Sequence, residues 1–284
     1  MNLTDPVTLR ALLERHGFRF SKSMGQNFLC DASVPVRIAE AAELDGETGV
    51  LEIGPGVGCL TVELAKRARR VLSVELDGAL RPVLAESLAP CGNVELLFAD
   101  VLRVDIPALA AKSFAGCVRA VVCANLPYNI TTPVLTKLAE SGCFDAMTVM
   151  VQKEAAQRLC ARPGTPDWGV APIQLQWRYE LEPLFDVPRG SFVPAPHVTS
   201  TVLRLTRRSA PPAAVTDEAR FFQLVRAAFA QRRKTLCNAL TNGLGLPRDR
   251  AAAAIAQCGL PEQVRGETLS LEQLAALSNA IATP

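Results

Sequence analysis

The stretch Gly49-Val50-Leu51-Glu52-Ile53 is an apolar run cut off by Gly54-Pro55-Gly56-Val57-Gly58, and a helical period over residues 60–69 follows. No other segment limits the fold as strongly. A strand that ends on three glycines and reopens as a helix is the repeating unit of a parallel sheet covered by helices. Glycines at that junction also let the backbone pass close to a bound group, which makes Gly54 and Gly56 candidate cofactor contacts. Their spacing narrows the choice of group. A dinucleotide fingerprint needs its third glycine at position 59, where this chain has Cys59; glycine falls at 58 instead. G-x-G-x-G preceded by Glu52 is the form associated with S-adenosylmethionine.

Three later strands carry the argument further. Residues 71–74 form an apolar strand closed by Glu75, whose carboxylate can accept both hydroxyls of a ribose. Residues 94–98 form another, followed by Ala99-Asp100, and a carboxylate at that place can accept from an adenine amine. The run Val118-Arg119-Ala120-Val121-Val122-Cys123 then leads into Ala124-Asn125-Leu126-Pro127-Tyr128-Asn129. Here Asn125 brings a side-chain acceptor, the backbone around Pro127 a second, and Tyr128 a flat aromatic face. Adenine's exocyclic nitrogen is a poor nucleophile because its lone pair is delocalised into the ring. Two acceptors on its two N–H bonds draw it toward a tetrahedral shape and aim the lone pair. Asn125, Leu126, Pro127 and Tyr128 are therefore the candidate catalytic residues. Each feature has a plainer reading, as turn, helix cap or Asx turn. Together they fall at the carboxyl ends of successive parallel strands, the edge where open α/β sheets bind ligands.

The remainder reads as flanking structure and a second region. Helices are expected over 6–15 and 32–43, with the polar segment 21–31 between them as a lid or an ordinary connection. A helix is expected over 131–141, a fifth strand over 146–151, a helix over 152–161, a flexible loop over 163–169, and final strands over 173–179 and 199–205. Between the last two lie Phe192, read as exposed and able to stack on a base, and His197, read as an RNA contact or solvated. Residues 207–214 look like a linker, and helices follow over 217–230, 232–241, 248–258 and 271–282. Arg232, Arg233 and Lys234 stand at a helix start, where the dipole disfavours cations and a phosphate would relieve them.

Charge and cysteine usage set the surroundings. Residues 1–203 carry 19 Lys and Arg against 22 Asp and Glu, a net −3, whereas residues 204–284 carry 11 against 6, a net +5. A basic end on a near-neutral body fits a polyanionic partner. Nine scattered cysteines, without a C-x-x-C pair, read as buried hydrophobes rather than a disulfide frame or metal site. No apolar run is long enough to span a bilayer and the opening residues are not a secretory leader, so a cytoplasmic chain with no membrane partner is expected.

Ser21 to Leu29, Glu52 to Gly58, Val74-Glu75-Leu76-Asp77, Asn125 to Ile130 and Phe229 to Leu236, taken as a set, resemble the bacterial small-subunit ribosomal RNA adenine dimethyltransferase family nearly end to end. The resemblance implies an α/β fold, a class I S-adenosylmethionine-dependent methyltransferase domain over 1–208. Its seven-stranded, mostly parallel Rossmann-like sheet has one antiparallel strand in the final hairpin, and a small all-helical RNA-binding domain occupies 209–284. It implies dimethylation of two adjacent adenosines near the 3′ end of 16S rRNA during small-subunit maturation. A sulfonium is already an activated donor, so no metal is expected, and the chain is expected to be a monomer. By the same resemblance Asn27, Leu29, Gly54, Glu75, Asp100 and Asn125 contact the cofactor. Met24, Cys59 and His197 depart from the family's usual Leu, Ala or Thr, and Lys; the last puts one RNA contact in doubt. A large-subunit rRNA methyltransferase of the macrolide-resistance type, a DNA adenine methyltransferase and a non-catalytic assembly factor stand as alternatives, and the glycine spacing disfavours a nicotinamide dehydrogenase.

Overall fold

The computed structural model describes residues 1–18 and 26–282, so residues 21–25 of the expected lid over 21–31 lie outside the described residues. The chain divides into two compact units, Met1–Ala156 with Glu180–Arg207, and Gln157–Tyr179 with Arg208–Pro284.

The first unit begins with α1 (Pro6–Arg15), which Asp5 caps by accepting from the Thr8 amide at 2.8 Å while Pro6 occupies the first helical position. It continues through β1 (Phe28–Leu29), α2 (Ser33–Ala41), β2 (Thr48–Ile53), α3 (Cys59–Ala65), β3 (Arg70–Glu75), α4 (Arg81–Ser87), β4 (Val94–Phe98), α5 (Ile106–Ser113), β5 (Arg119–Asn125), α6 (Thr131–Ser141) and β6 (Ala146–Gln152), and α7 (Lys153–Leu159) begins in this unit and ends in the second. Seven strands form one sheet in the order β4-β3-β2-β5-β6-β9-β7, with β7 at Tyr179–Val187 and β9 at Ser200–Arg207. Strands β2 to β6 pair in parallel, and β9 runs antiparallel to β6. Their side chains alternate across the sheet: Val50, Val71, Val121, Cys123, Met150 and Val202 join a core with α1 to α4. The order reverses beside β2, from which β3 and β4 lie to one side and β5 to the other. That switch point opens a crevice at the carboxyl ends of β2 and β5.

Two expectations for the last strands fail. Of residues 173–179 only Tyr179 enters a strand, as the first residue of β7; α8 (Val170–Arg178) takes the place of the rest and belongs with the helical unit. Ile-Gln-Leu-Gln-Trp-Arg-Tyr alternates like a strand, but Ile173 and Trp177 also stand four apart, on one face of a helix, and both are buried in the helical core. The true strand β7 carries Pro183 at its centre, which the edge position in the sheet accommodates. A two-residue strand β8 (Phe192–Val193) pairs antiparallel with β1, setting Leu29 opposite Phe192. Phe192 is therefore 2% exposed and packed in the core of the first unit, not the exposed stacking platform expected.

The second unit is built from α8, α9 (Glu218–Ala230), α10 (Leu236–Leu244), α11 (Arg248–Gln257) and α12 (Leu271–Ala282). Gln157–Tyr179 packs here rather than with residues 1–208. Trp177 stacks on Phe221 with ring centroids 4.1 Å apart, and Phe221 meets Phe222 edge-on at 5.0 Å. The segment expected to be a flexible loop is fastened to this core: Trp168 is buried and donates its indole N–H to the Leu269 carbonyl at 2.9 Å.

Candidate functional site

At the carboxyl ends of β2, β3, β4 and β5 a cavity of about 240 Å³ opens, and it gathers residues that are far apart in sequence. Asn27, Leu29, Gly54, Gly56, Glu75, Asp100, Asn125, Leu126, Pro127 and Tyr128 all line it.

The floor comes from the turn after β2. Gly54, Gly56 and Gly58 have φ of +69°, +60° and +93°, the left-handed region that a side chain resists. At Gly58 the space is closed as well, since a Cβ there would lie 2.8 Å from Leu88. A Cβ on Gly54 would lie 3.5 Å from the Pro127 ring, an ordinary contact distance, so the glycine turn and the Asn-Leu-Pro-Tyr turn face each other across about the width of a methyl group, and it is φ rather than space that favours glycine there.

Beneath the glycines sits Glu52, 1% exposed. Its Oε2 accepts from the Thr61 hydroxyl of α3 at 2.7 Å and from the Ser73 hydroxyl of β3 at 2.6 Å. Burial, eased by these two bonds and aggravated by Glu75, pushes its carboxyl up to about 7. Glu75 ends β3, where its Oε1 accepts from the Asp77 amide at 2.8 Å and its Oε2 from the Gly56 amide at 3.4 Å. Burial raises its pKa too, against those backbone bonds. Both oxygens keep a lone pair for a hydroxyl. Asp100 accepts from the Leu102 amide at 2.9 Å and faces Arg103, with 3.4 Å between Oδ2 and Nε. Ile53, Leu80, Val101 and Leu126 make apolar walls, and Leu76, 55% exposed, stands at the rim.

The facing wall is the turn after β5. The Asn125 side chain makes no hydrogen bond to the described residues and remains available on the cavity side. Of the two backbone carbonyls next to it, that of Pro127 is already engaged, by the Ile130 amide at 3.2 Å and the Thr131 hydroxyl at 3.3 Å. The acceptor expected around Pro127 is thereby narrowed to the Leu126 carbonyl. Tyr128 lines the cavity with its hydroxyl 2.7 Å from that of Ser200.

The proposed RNA contacts fall elsewhere. His197 is exposed in the first unit. Arg232, Arg233 and Lys234 lie in the turn between α9 and α10, where the carboxyl end of α9 offsets the unfavourable amino end of α10. Arg232 is partly committed, donating to the Pro166 carbonyl at 2.7 Å and facing Glu267 at 3.4 Å, whereas Arg233 and Lys234 are exposed and make no ion pair among the described residues.

The carboxyl at Glu75, the closely approachable glycine backbone and the apolar walls fit a nucleoside whose ribose hydroxyls meet a carboxylate and whose base lies between apolar side chains, as S-adenosylmethionine offers. The motif did not reveal the hydroxyl pair on Glu52 or the Ser200 partner of Tyr128, since Ser200 lies 72 positions from that tyrosine.

Known proteins place the chain. The sequence model described as ribosomal RNA adenine dimethylase matches residues 17–283. Ribosomal RNA small subunit methyltransferase A of Geobacillus sp. (strain WCH70) is 45% identical over 99% of this chain and 98% of its own length. Its namesake from Bacillus cereus (strain AH187) is 46% identical over 99% and 97%. Among solved structures, 23S rRNA methyltransferase ErmE is 31% identical with a TM-score of 0.68, covering 90% of this chain and 99% of ErmE. A dimethyladenosine transferase from Plasmodium falciparum, 23% identical, shares the fold with a TM-score of 0.75 over 88% of this chain and 95% of its own. With its glycine turn, acidic strand ends and Asn-Leu-Pro-Tyr wall in one crevice, the chain belongs to the ribosomal RNA adenine dimethylase family.

Proposed function

We propose that this chain is a cytoplasmic, monomeric enzyme that transfers methyl groups from S-adenosylmethionine to the exocyclic amines of two adjacent adenosines near the 3′ end of 16S rRNA, within the immature small ribosomal subunit. The observation that carries this reading is that the glycine turn and the Asn125–Tyr128 turn line one cavity, with Gly54 and Pro127 facing each other. When bound, the cofactor supplies an electrophilic methyl carbon on a sulfonium. Glu75 accepts from its ribose hydroxyls, Asp100 from its adenine amine, and Gly54 and Gly56 let it approach the backbone, with Asn27 and Leu29 closing the edge. Asn125 and the Leu126 carbonyl accept the two N–H bonds of the target amine and localise its lone pair for displacement at the methyl carbon, with S-adenosylhomocysteine as leaving group and the alkylated nitrogen's proton lost to water, while the ring of Tyr128 replaces the stacking that the base loses on leaving its strand. The chain's contribution is thus mostly positioning and exclusion of water by the apolar walls. Arg233 and Lys234 are the cations of the helical unit best placed to meet phosphate, with His197 and the more committed Arg232 as further contacts.

Identity of 45% to 46% with small-subunit relatives against 31% with ErmE favours the small subunit over the large one. The test is Asn125→Ala. Transfer of labelled methyl groups to unmodified small subunits should be abolished while RNA binding persists, and mass spectrometry of the rRNA should place the wild-type product on the adjacent adenosines. Turnover retained by the variant, or methylation mapped to the large subunit, would overturn the assignment.

A further inference from the structure

We infer that Ser200 is a positioning residue for the transfer: by holding the hydroxyl of Tyr128 it fixes the plane on which the target adenine stacks. The inference rests on the reading of Tyr128 as that plane.

A tyrosine attached only through its Cα keeps the freedom of two side-chain torsions, and an unpinned ring samples several orientations in a cavity. Tyr128 is held at both ends. Its backbone opens a short 3-10 turn, Tyr128–Ile130, closed by the Ile130 amide on the Pro127 carbonyl at 3.2 Å. Its far end meets the Ser200 Oγ at 2.7 Å, the one hydrogen bond of that hydroxyl among the described residues. Burial raises the phenol's pKa, so it stays protonated and either hydroxyl can donate.

The anchor itself is rigid. Ser200 is 0% exposed and opens β9, with its Cα opposite Gln152 at the end of β6. One residue earlier, the Lys153 amide donates to the Thr199 carbonyl at 2.9 Å, which ties the entry of β9 to the rim of the sheet. The antiparallel strand thereby reaches over to the turn after β5 and sets its aromatic ring. A side chain on a paired strand holds a geometry that a loop residue cannot, and a misplacement of about 1 Å at a reacting centre costs on the order of a hundredfold in rate.

The experiment is a double-mutant cycle with the full chain: wild type, Ser200→Ala, Tyr128→Phe and both together, with Tyr128→Ala as reference. Methyl transfer to unmodified small subunits and equilibrium binding of S-adenosylmethionine are measured for each. Ser200→Ala and Tyr128→Phe should each lower kcat about tenfold with cofactor Kd unchanged, and the double variant should be no slower than either. A Ser200→Ala variant with wild-type kcat, or one that slows the Tyr128→Phe background as much as the wild type, overturns the inference. Full turnover by Tyr128→Ala would instead sink the stacking role of Tyr128 itself.

Discussion

Replacing Glu52 by Gln removes one charge from the interior while leaving a side-chain oxygen to accept from the Thr61 and Ser73 hydroxyls. In the wild type that carboxyl titrates at about 7 in the folded chain, against an ordinary value of 4.5. The folded state then binds more protons than the unfolded one between these two values, so stability falls as pH rises across that window. Below 4.5 the group is protonated in both states and contributes no slope. At about 1.4 kcal/mol per unit of pKa, the loss from pH 4.5 to above 7 amounts to about 3 kcal/mol. Glu52→Gln lacks this loss, so its stability relative to wild type should rise by about 3 kcal/mol over the same span, whatever the offset at low pH. Tryptophan fluorescence is the wrong probe, because Trp168 and Trp177 both lie in the helical unit. Hydrogen exchange on peptides covering β2 and β3, corrected for intrinsic rates and taken from pH 5 to 8, reads the right unit. A difference between the two proteins that stays flat with pH would refute the raised pKa of Glu52.

Cofactor affinity should fall as pH drops through the raised pKa of Glu75, because the ribose hydroxyls need the carboxylate as acceptor; calorimetry at several pH values should show Glu75→Gln weaker by about 1.5–3 kcal/mol at neutral pH and without that pH dependence. Neutralising Arg233 and Lys234 should reduce the slope of log affinity for rRNA against log salt by about 1.4 to 1.8, and an unchanged slope in filter binding would return both to solvated surface. Gly58→Ala should cost about 1–3 kcal/mol in stability, since its φ is +93° and the new Cβ meets Leu88; a melting temperature equal to wild type would contradict that strain.

The strands that carry the site were legible because each is an apolar run with a polar residue or glycine at or just past its end, as with Val71 to Glu75 and Val121 to Asn125, and β2 and β3 are buried almost throughout. What stayed hidden depended on packing between distant segments. Residues 173–179 alternate like a strand, yet 173–178 form a helix because Trp177 and Ile173 find Phe221 and its neighbours. β7 was masked by Pro183, which only an edge position tolerates. Phe192 read as exposed among prolines and glycines, and two residues of pairing with Phe28 and Leu29 suffice to bury it. Within the site, the Gly54, Glu75, Asp100 and Asn125 quartet followed from strand ends, whereas Glu52's neutral form and the grip of Ser200 on Tyr128 arise from contacts across the sheet.

The narrow gap between Gly54 and Pro127 also limits how the enzyme can be re-engineered. With room for little more than a methyl group between the two turns, donor and acceptor pockets are neighbours, and shifting backbone to widen one narrows the other. Room for a bulkier amine, or a larger alkyl group than methyl, has to be carved from side chains on the outer lip, such as Asn129 or Leu76.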